Sequence, residues 1–127
     1  MITVTMPYIG CHLSENYYKI VGRLGVKTNK TRPDVIKWMG ELTDKVRGFY
    51  PGTSLVIYLS GKFYDDRAPD LANLHKVIGD AIKKGVCLDD KSFKFVDEGY
   101  TTGYSRPELV MKLEGNSELL SETFKGV

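Results

Sequence analysis

From Ile2 to Met6 apolar residues alternate with threonine, the two-residue period of a half-buried strand, and a first strand is predicted there. Pro7 to Asn16 lacks that period and reads as loop, while Tyr17 to Gly25 fits either a short strand or an extended arm. A helical period follows: Val35, Trp38, Met39, Leu42 and Val46 share one apolar face. Thr31-Arg32-Pro33-Asp34 supplies its start, with Thr31 as the cap and an Asp three residues later. Gly48, Pro51 and Gly52 supply its end. Leu55 to Phe63 is rich in β-formers, with Leu55, Ile57 and Leu59 on one face and Val56 and Tyr58 on the other. Apolar residues on both faces imply a central strand covered on both sides, or one buried at an interface between subunits.

The spacing predicts a second helix over Leu71 to Lys84, capped by Asp70 and stopped at Gly85. Leu71, Leu74, Ile78 and Ile82 form its buried stripe, and Lys83 and Lys84 suit its C-terminal end. Phe93 to Tyr100 and Glu108 to Leu113 read as strands, separated by a loop holding Gly103 and Pro107. The polar stretch from Gly115 to the end is expected to be a mobile tail. This order of elements gives an α+β class: a small mixed β-sheet with two main helices packed on it, in one domain over residues 1–127.

No apolar run approaches the roughly 18 residues of a membrane span. The first residues lack a basic stretch followed by an apolar one, so a cytoplasmic location without a membrane partner is expected. Cys11 and Cys87 fit no zinc or CxxC spacing and read as reduced structural thiols. His12 and His75 have no metal-ligand partner at helical spacing, and His75 reads as a helix-surface residue. P-loop, GxSxG and GxGxxG patterns do not occur.

Charge changes the picture. Between Asn16 and Pro33 stand Lys19, Arg23, Lys27, Lys30 and Arg32 and no acidic residue. This window holds +5 of a net +2, which leaves the remainder at −3. A basic stretch beside an acidic centre fits a polyanion gripped by one part and processed by another; a solvated loop fits the same charges. Six of the nine aspartates lie between Asp65 and Asp90, where there is no glutamate. Asp70, Asn73, Lys76 and Asp80 form a polar line beside the apolar stripe. Val86 to Leu88 are expected to carry Asp89 and Asp90 back toward Asp70, making a carboxylate cluster suited to Mg²⁺ and a phosphate. The plain alternatives are a helix cap at Asp70 and a turn at Asp89-Asp90.

The run Asp70 through Lys76, then Asp80-Ala81, Gly85 and Leu88-Asp89-Asp90, resembles the RusA family of Holliday-junction resolvases. Ser14-Glu15-Asn16-Tyr17-Tyr18-Lys19 is similar to the family's N-terminal Pro-x-Ser-x-Asn-x-Tyr-Tyr region, so the resemblance covers most of the chain. It implies a RusA-like fold and a homodimeric, Mg²⁺-dependent endonuclease, with Mn²⁺ able to substitute, that nicks four-way DNA junctions. The implied metal ligands are Asp70 and Asp90, with Asp89 beside them, and Lys76 is the implied catalytic lysine. Asn73 supports the site. Lys19, Arg23, Lys27, Lys30 and Arg32 would grip the branched DNA backbone, with Tyr17 or Tyr18 packing on a base or sugar. One departure stands out: Ala72 occupies a position where the family usually has aspartate. Asp66 or Asp80 is then expected to supply the missing oxygen, or water fills the position. The alternative is a junction-binding protein of the same fold whose nuclease activity is weakened or lost.

Overall fold

The computed structural model of the chain describes residues 1–116. Four strands build the main sheet: β1 (Ile2–Pro7), β4 (Leu55–Lys62), β5 (Phe93–Thr101) and β6 (Glu108–Gly115), in the order β1-β6-β4-β5. β6 pairs antiparallel with β1 and β4, and β5 pairs parallel with β4. β2 (Lys19–Val21) and β3 (Lys27–Thr31) form a separate antiparallel hairpin. The helices are α1 (Pro33–Val46) and α2 (His75–Val86), the second preceded by a 3₁₀ turn over Leu71–Leu74. The α+β expectation holds.

Strand alternation sends Val4 and Met6, Leu55, Ile57 and Leu59, and Leu109, Met111 and Leu113 to one face. There they meet Val35, Trp38, Leu42 and Val46 of α1 and Ile78, Ala81 and Ile82 of α2 in a single core. β4 is central in the sheet, but its second face is not covered: Val56 and Tyr58 stay half-buried. Trp38 is fixed within this core by donating its indole N–H to the Pro7 carbonyl at 2.6 Å.

Three boundaries differ from expectation. Arg32, not Thr31, is the N-cap of α1, and no side chain caps it. Thr31 is held in β3 opposite Lys19, and Asp34 turns to His12 instead. α2 runs through Gly85 and ends at Cys87, whose left-handed φ of 55° closes the helix. Gly85 is there because α1 crosses at that point: a Cβ would lie 2.4 Å from Val46 Cγ2 and 2.7 Å from the Thr43 carbonyl oxygen. Thr43 donates its hydroxyl to the Ala81 carbonyl at 2.7 Å at the same crossing. Finally, Gly115 belongs to β6, opposite Leu55, and is not part of a tail; the rest of the expected tail, 117–127, lies outside the described residues. Both cysteines are free thiols.

Candidate active site

The parallel β4–β5 pair decides where chemistry can gather. Its crossover returns through α2, so the C-terminal ends of β4 and β5 and the start of the Leu71–Leu74 turn meet at one edge of the sheet. Asp70 stands there as the turn's N-cap, its Oδ1 accepting the Ala72 N–H at 3.0 Å. Its other carboxylate oxygen is left for another partner.

Asp70 lines a cavity of about 330 Å³ with Pro69, Leu71, Asp97, Gly99 and Tyr100. Asp97 was not anticipated. Phe93, Phe95 and Asp97 alternate toward the helices, and the pairing then slips: Leu59 faces Asp97, but Gly61 faces Tyr100. β5 carries an extra residue in this interval, accommodated by Gly99 at φ 81°. This bulge shapes the wall holding Asp97, Gly99 and Tyr100. The detectable signal was Gly99 inside an otherwise strand-like run, a mark of bulges.

His75 is likewise no ordinary surface residue. Its Nε2 lies 2.7 Å from Asp97 Oδ1, and its ring stacks on Phe95 with centroids 4.1 Å apart at 12°. The His75 and Asp97 side chains are 29% and 32% exposed, sheltered yet reachable. The Asp97 carboxylate is an acceptor for a proton on Nε2 and so fixes the orientation of the ring.

Asn73 acts through its backbone, its carbonyl accepting the Glu15 N–H at 2.7 Å. That bond ties the Ser14–Tyr18 segment, and hence the base of the basic hairpin, to the turn carrying Asp70. Arg32 fastens the same segment: its Nε donates to the Tyr17 carbonyl at 2.6 Å and its N–H to the Tyr18 carbonyl at 2.9 Å. Arg32 therefore has a structural duty. Lys19 lies over the Tyr18 ring at 5.6 Å. Arg23, Lys27 and Lys30 are exposed and make no ion pair among the described residues, and Tyr17 is exposed beside them.

The expected return of Asp89 and Asp90 to Asp70 does not occur. Because β5 runs parallel to β4, the chain enters β5 at the far edge of the sheet, and Asp90 lies 3.9 Å from Lys83 near the end of α2. At about 1.5 Å of rise per helical residue, Asp70 and Asp90 stand on the order of 15 Å apart. Mg²⁺ takes its oxygens at about 2.1 Å, so the two do not fit one ion within a protomer. Among the described residues no three His, Cys, Asp or Glu side chains come together to hold a metal. Asp89 instead caps the next turn by accepting the Lys91 N–H at 3.2 Å, which holds its carboxyl below the usual range with help from Asp90.

Asp80 and Lys76 do meet, at 3.4 Å, and Lys83 lies 3.8 Å from the other Asp80 oxygen. That Oδ1 is closed off from solvent without a hydrogen-bond donor, so the longer contact to Lys83 is what neutralises it. Neither carboxylate named as a substitute for the residue missing at Ala72 lines the Asp70 cavity. Asp80 is engaged with the two lysines. Asp66 is exposed in the loop where Asp65 captures Arg67 at 2.8 Å. The Arg67 side chain holds the Asp65 carboxyl below the usual range, and Asp65 raises the Arg67 guanidinium in turn. The carboxylate that shares a cavity with Asp70 is Asp97. Two aspartates lining one cavity, with hard oxygen donors to spare, fit the one or two carboxylates that Mg²⁺ commonly takes from protein.

A mixed sheet thus carries an acidic cavity at the ends of two parallel strands, beside an exposed basic hairpin. The sequence matches the family model of endodeoxyribonuclease RusA over residues 17–114. The chain belongs to the RusA endodeoxyribonuclease family, whose members are Holliday-junction resolvases. A comparison with curated proteins gives no match. The matched span holds the hairpin, Asp70, Lys76, Asp90 and Asp97. No helix among the described residues is long and apolar enough to cross a membrane.

Proposed function

We propose that this protein is a Mg²⁺-dependent endodeoxyribonuclease that nicks four-way junctions as a homodimer, and that Asp97 stands in for the carboxylate missing at Ala72. The observation that carries this reading is that Asp70 and Asp97 line one cavity, beside a turn hydrogen-bonded to the base of the basic hairpin. Asp70 and Asp97 would hold the ion, which when bound polarises a phosphoryl oxygen and lowers the pKa of water.

The chain's own residues do the rest. Arg23, Lys27 and Lys30 bind phosphates along the DNA arms. The Asn73–Glu15 bond sets the hairpin relative to the cavity. The His75 ring, held at Nε2 by Asp97 and stacked on Phe95, fixes the position of the Asp97 carboxylate. Lys76, the next residue of the helix, neutralises charge that develops on the phosphate. Asp90, engaged with Lys83, supports the far end of α2. A homodimer suits a substrate with two equivalent strands, and the half-buried Val56 and Tyr58 face of the sheet is available to pair.

Cleavage of a labelled four-way junction, with and without Mg²⁺ or Mn²⁺, tests this beside Asp70→Asn and Asp97→Asn. Metal-dependent paired nicks that vanish in Asp70→Asn and fall at least about a hundredfold in Asp97→Asn are expected. Full activity in Asp97→Asn would remove Asp97 from the site. A second reading, a junction binder that has lost its chemistry, is favoured by Ala72 and by the lack of a three-carboxylate cluster among the described residues. Tight junction binding without cleavage under either metal would establish it.

A further inference from the structure

The hairpin of β2 and β3 ends in an unusual tip. Leu24 is 100% exposed, and Val21 and Val26 beside it are also exposed. A fully exposed leucine is unremarkable alone, but this one also has a left-handed backbone, φ 64° and ψ 19°. Gly25 follows at φ 74°. Asn or Gly would adopt that conformation at less cost, and a branched apolar residue held there is an outlier that asks for a function.

The tip is not loose. Gly22 N–H donates to the Val26 carbonyl at 2.7 Å and closes the turn. The Thr28 hydroxyl donates to the Ile20 carbonyl at 2.9 Å. A Cβ on Gly22 would meet Thr28 Cγ2 at 3.2 Å, so the two strands approach closely. Leu24 is thus presented on a braced arm whose base is fastened by Arg32 to the Tyr17 carbonyl at 2.6 Å.

Its surroundings select the partner. Arg23, Lys27 and Lys30 flank the apolar tip, and no acidic residue occurs between Asn16 and Pro33. An apolar protein partner would gain nothing from that charge, whereas nucleic acid offers phosphates to the cations and stacked bases to the leucine. Proteins that distort DNA often push an apolar side chain between base steps. At a continuous duplex this breaks stacking; at a branch point the stack is already interrupted, so insertion costs less.

We propose that Leu24 is a wedge that enters the interrupted base stack at a DNA branch point, and that it sets the preference for branched over linear DNA. The cations around it supply affinity for any duplex. Leu24 supplies the difference between substrates. This rests on the resolvase reading.

The test is binding without turnover, in Ca²⁺ or EDTA, of a four-way junction and of a linear duplex of the same sequence. Wild type, Leu24→Ala and Leu24→Phe are compared, with 2-aminopurine at the branch point reporting unstacking. Leu24→Ala should bind duplex as wild type does, lose about tenfold in junction preference and abolish the 2-aminopurine increase. Leu24→Phe should restore both. Because Leu24 buries nothing, both variants should fold, which circular dichroism checks. If wild type prefers junctions and Leu24→Ala prefers them equally, the wedge is wrong and the resolvase reading stands. If wild type shows no preference, both fall. If Leu24→Ala alters sedimentation of the DNA-free protein, the tip contacts a second copy and the wedge is again overturned.

Discussion

Removing Lys76 should separate chemistry from stability. Its ammonium lies 3.4 Å from Asp80 Oδ2 and is 50% exposed. Exposed ion pairs contribute about 0–1 kcal/mol. With the lysine N-terminal to the aspartate, the pair is in the weaker orientation along the helix dipole. Asp80 also keeps Lys83 at 3.8 Å, so deletion of Lys76 does not strand a buried charge. Lys76→Met retains most of the aliphatic stem, so the expected destabilisation is about 0.5 kcal/mol, or a fall in Tm of about 2 °C for a domain of this size. Loss of a cation that stabilises transition-state charge costs about 3–4 kcal/mol, or 10²–10³ in rate. The assay is single-turnover cleavage of a labelled junction with protein in excess, beside thermal melts and junction binding in Ca²⁺. A hundredfold slower cleavage, a nearly unchanged melt and binding within about tenfold are expected. Cleavage at the wild-type rate, or a loss of rate that tracks unfolding, would refute the assignment and leave Lys76 as a partner of Asp80.

Two further perturbations probe the scaffold. Gly85→Ala gains about 1 kcal/mol of helix propensity. It must also place a methyl group 2.4 Å from Val46 Cγ2 and 2.7 Å from the Thr43 carbonyl oxygen, which is backbone and cannot swing aside. Overpacking of this kind costs about 1–3 kcal/mol, so a net loss of about 1 kcal/mol in urea unfolding is expected, and a variant more stable than wild type would contradict the helix crossing. Asp34→Asn tests the His12 contact at 2.8 Å, which holds the Asp34 carboxyl below the usual range. A depressed folded-state pKa contributes stability above the unfolded pKa and loses it as pH falls through the folded one. Both side chains are more than two-fifths exposed, so screening keeps the effect under about 1 kcal/mol. Thermal melts should therefore separate wild type from variant at about pH 5 and converge well below about pH 4. A difference that grows on acidification would reverse the sign and reject the contact.

Most elements were legible because their periods are local. The alternation over Ile2 to Met6 and the helical spacing from Val35 to Val46 depend on neighbours a few residues away, and both faces were read correctly. Asp70 as a cap was legible for the same reason. Gly85 misled because local rules treat glycine after a helical stretch as a stop, whereas here it is the point where α1 passes closest. The uncovered face of β4 was beyond a sequence pattern that reports apolarity without saying what lies opposite.

The expected return of Asp90 to Asp70 within one protomer fails for one topological reason. Placing Asp90 next to Asp70 requires the chain to turn back immediately after α2, but α2 is the crossover between parallel strands. The end of such a helix lies at the opposite edge of the sheet from its start. Within one protomer, the carboxylates placed to share a site with Asp70 are those at the C-terminal ends of β4 and β5, where ligands of parallel sheets gather. Asp97 reaches that edge only because Phe93 and Phe95 set the phase of β5, and the bulge at Gly99 then bends the strand where the cavity opens. Loss of a carboxylate at Ala72 need not empty the site of charge, since one arrives from the neighbouring strand already hydrogen-bonded to His75 at 2.7 Å. Restoring aspartate at position 72 in Asp97→Asn asks whether the two positions are interchangeable. Recovery of metal-dependent nicking there would mean that the acidic charge at this edge matters more than the element delivering it.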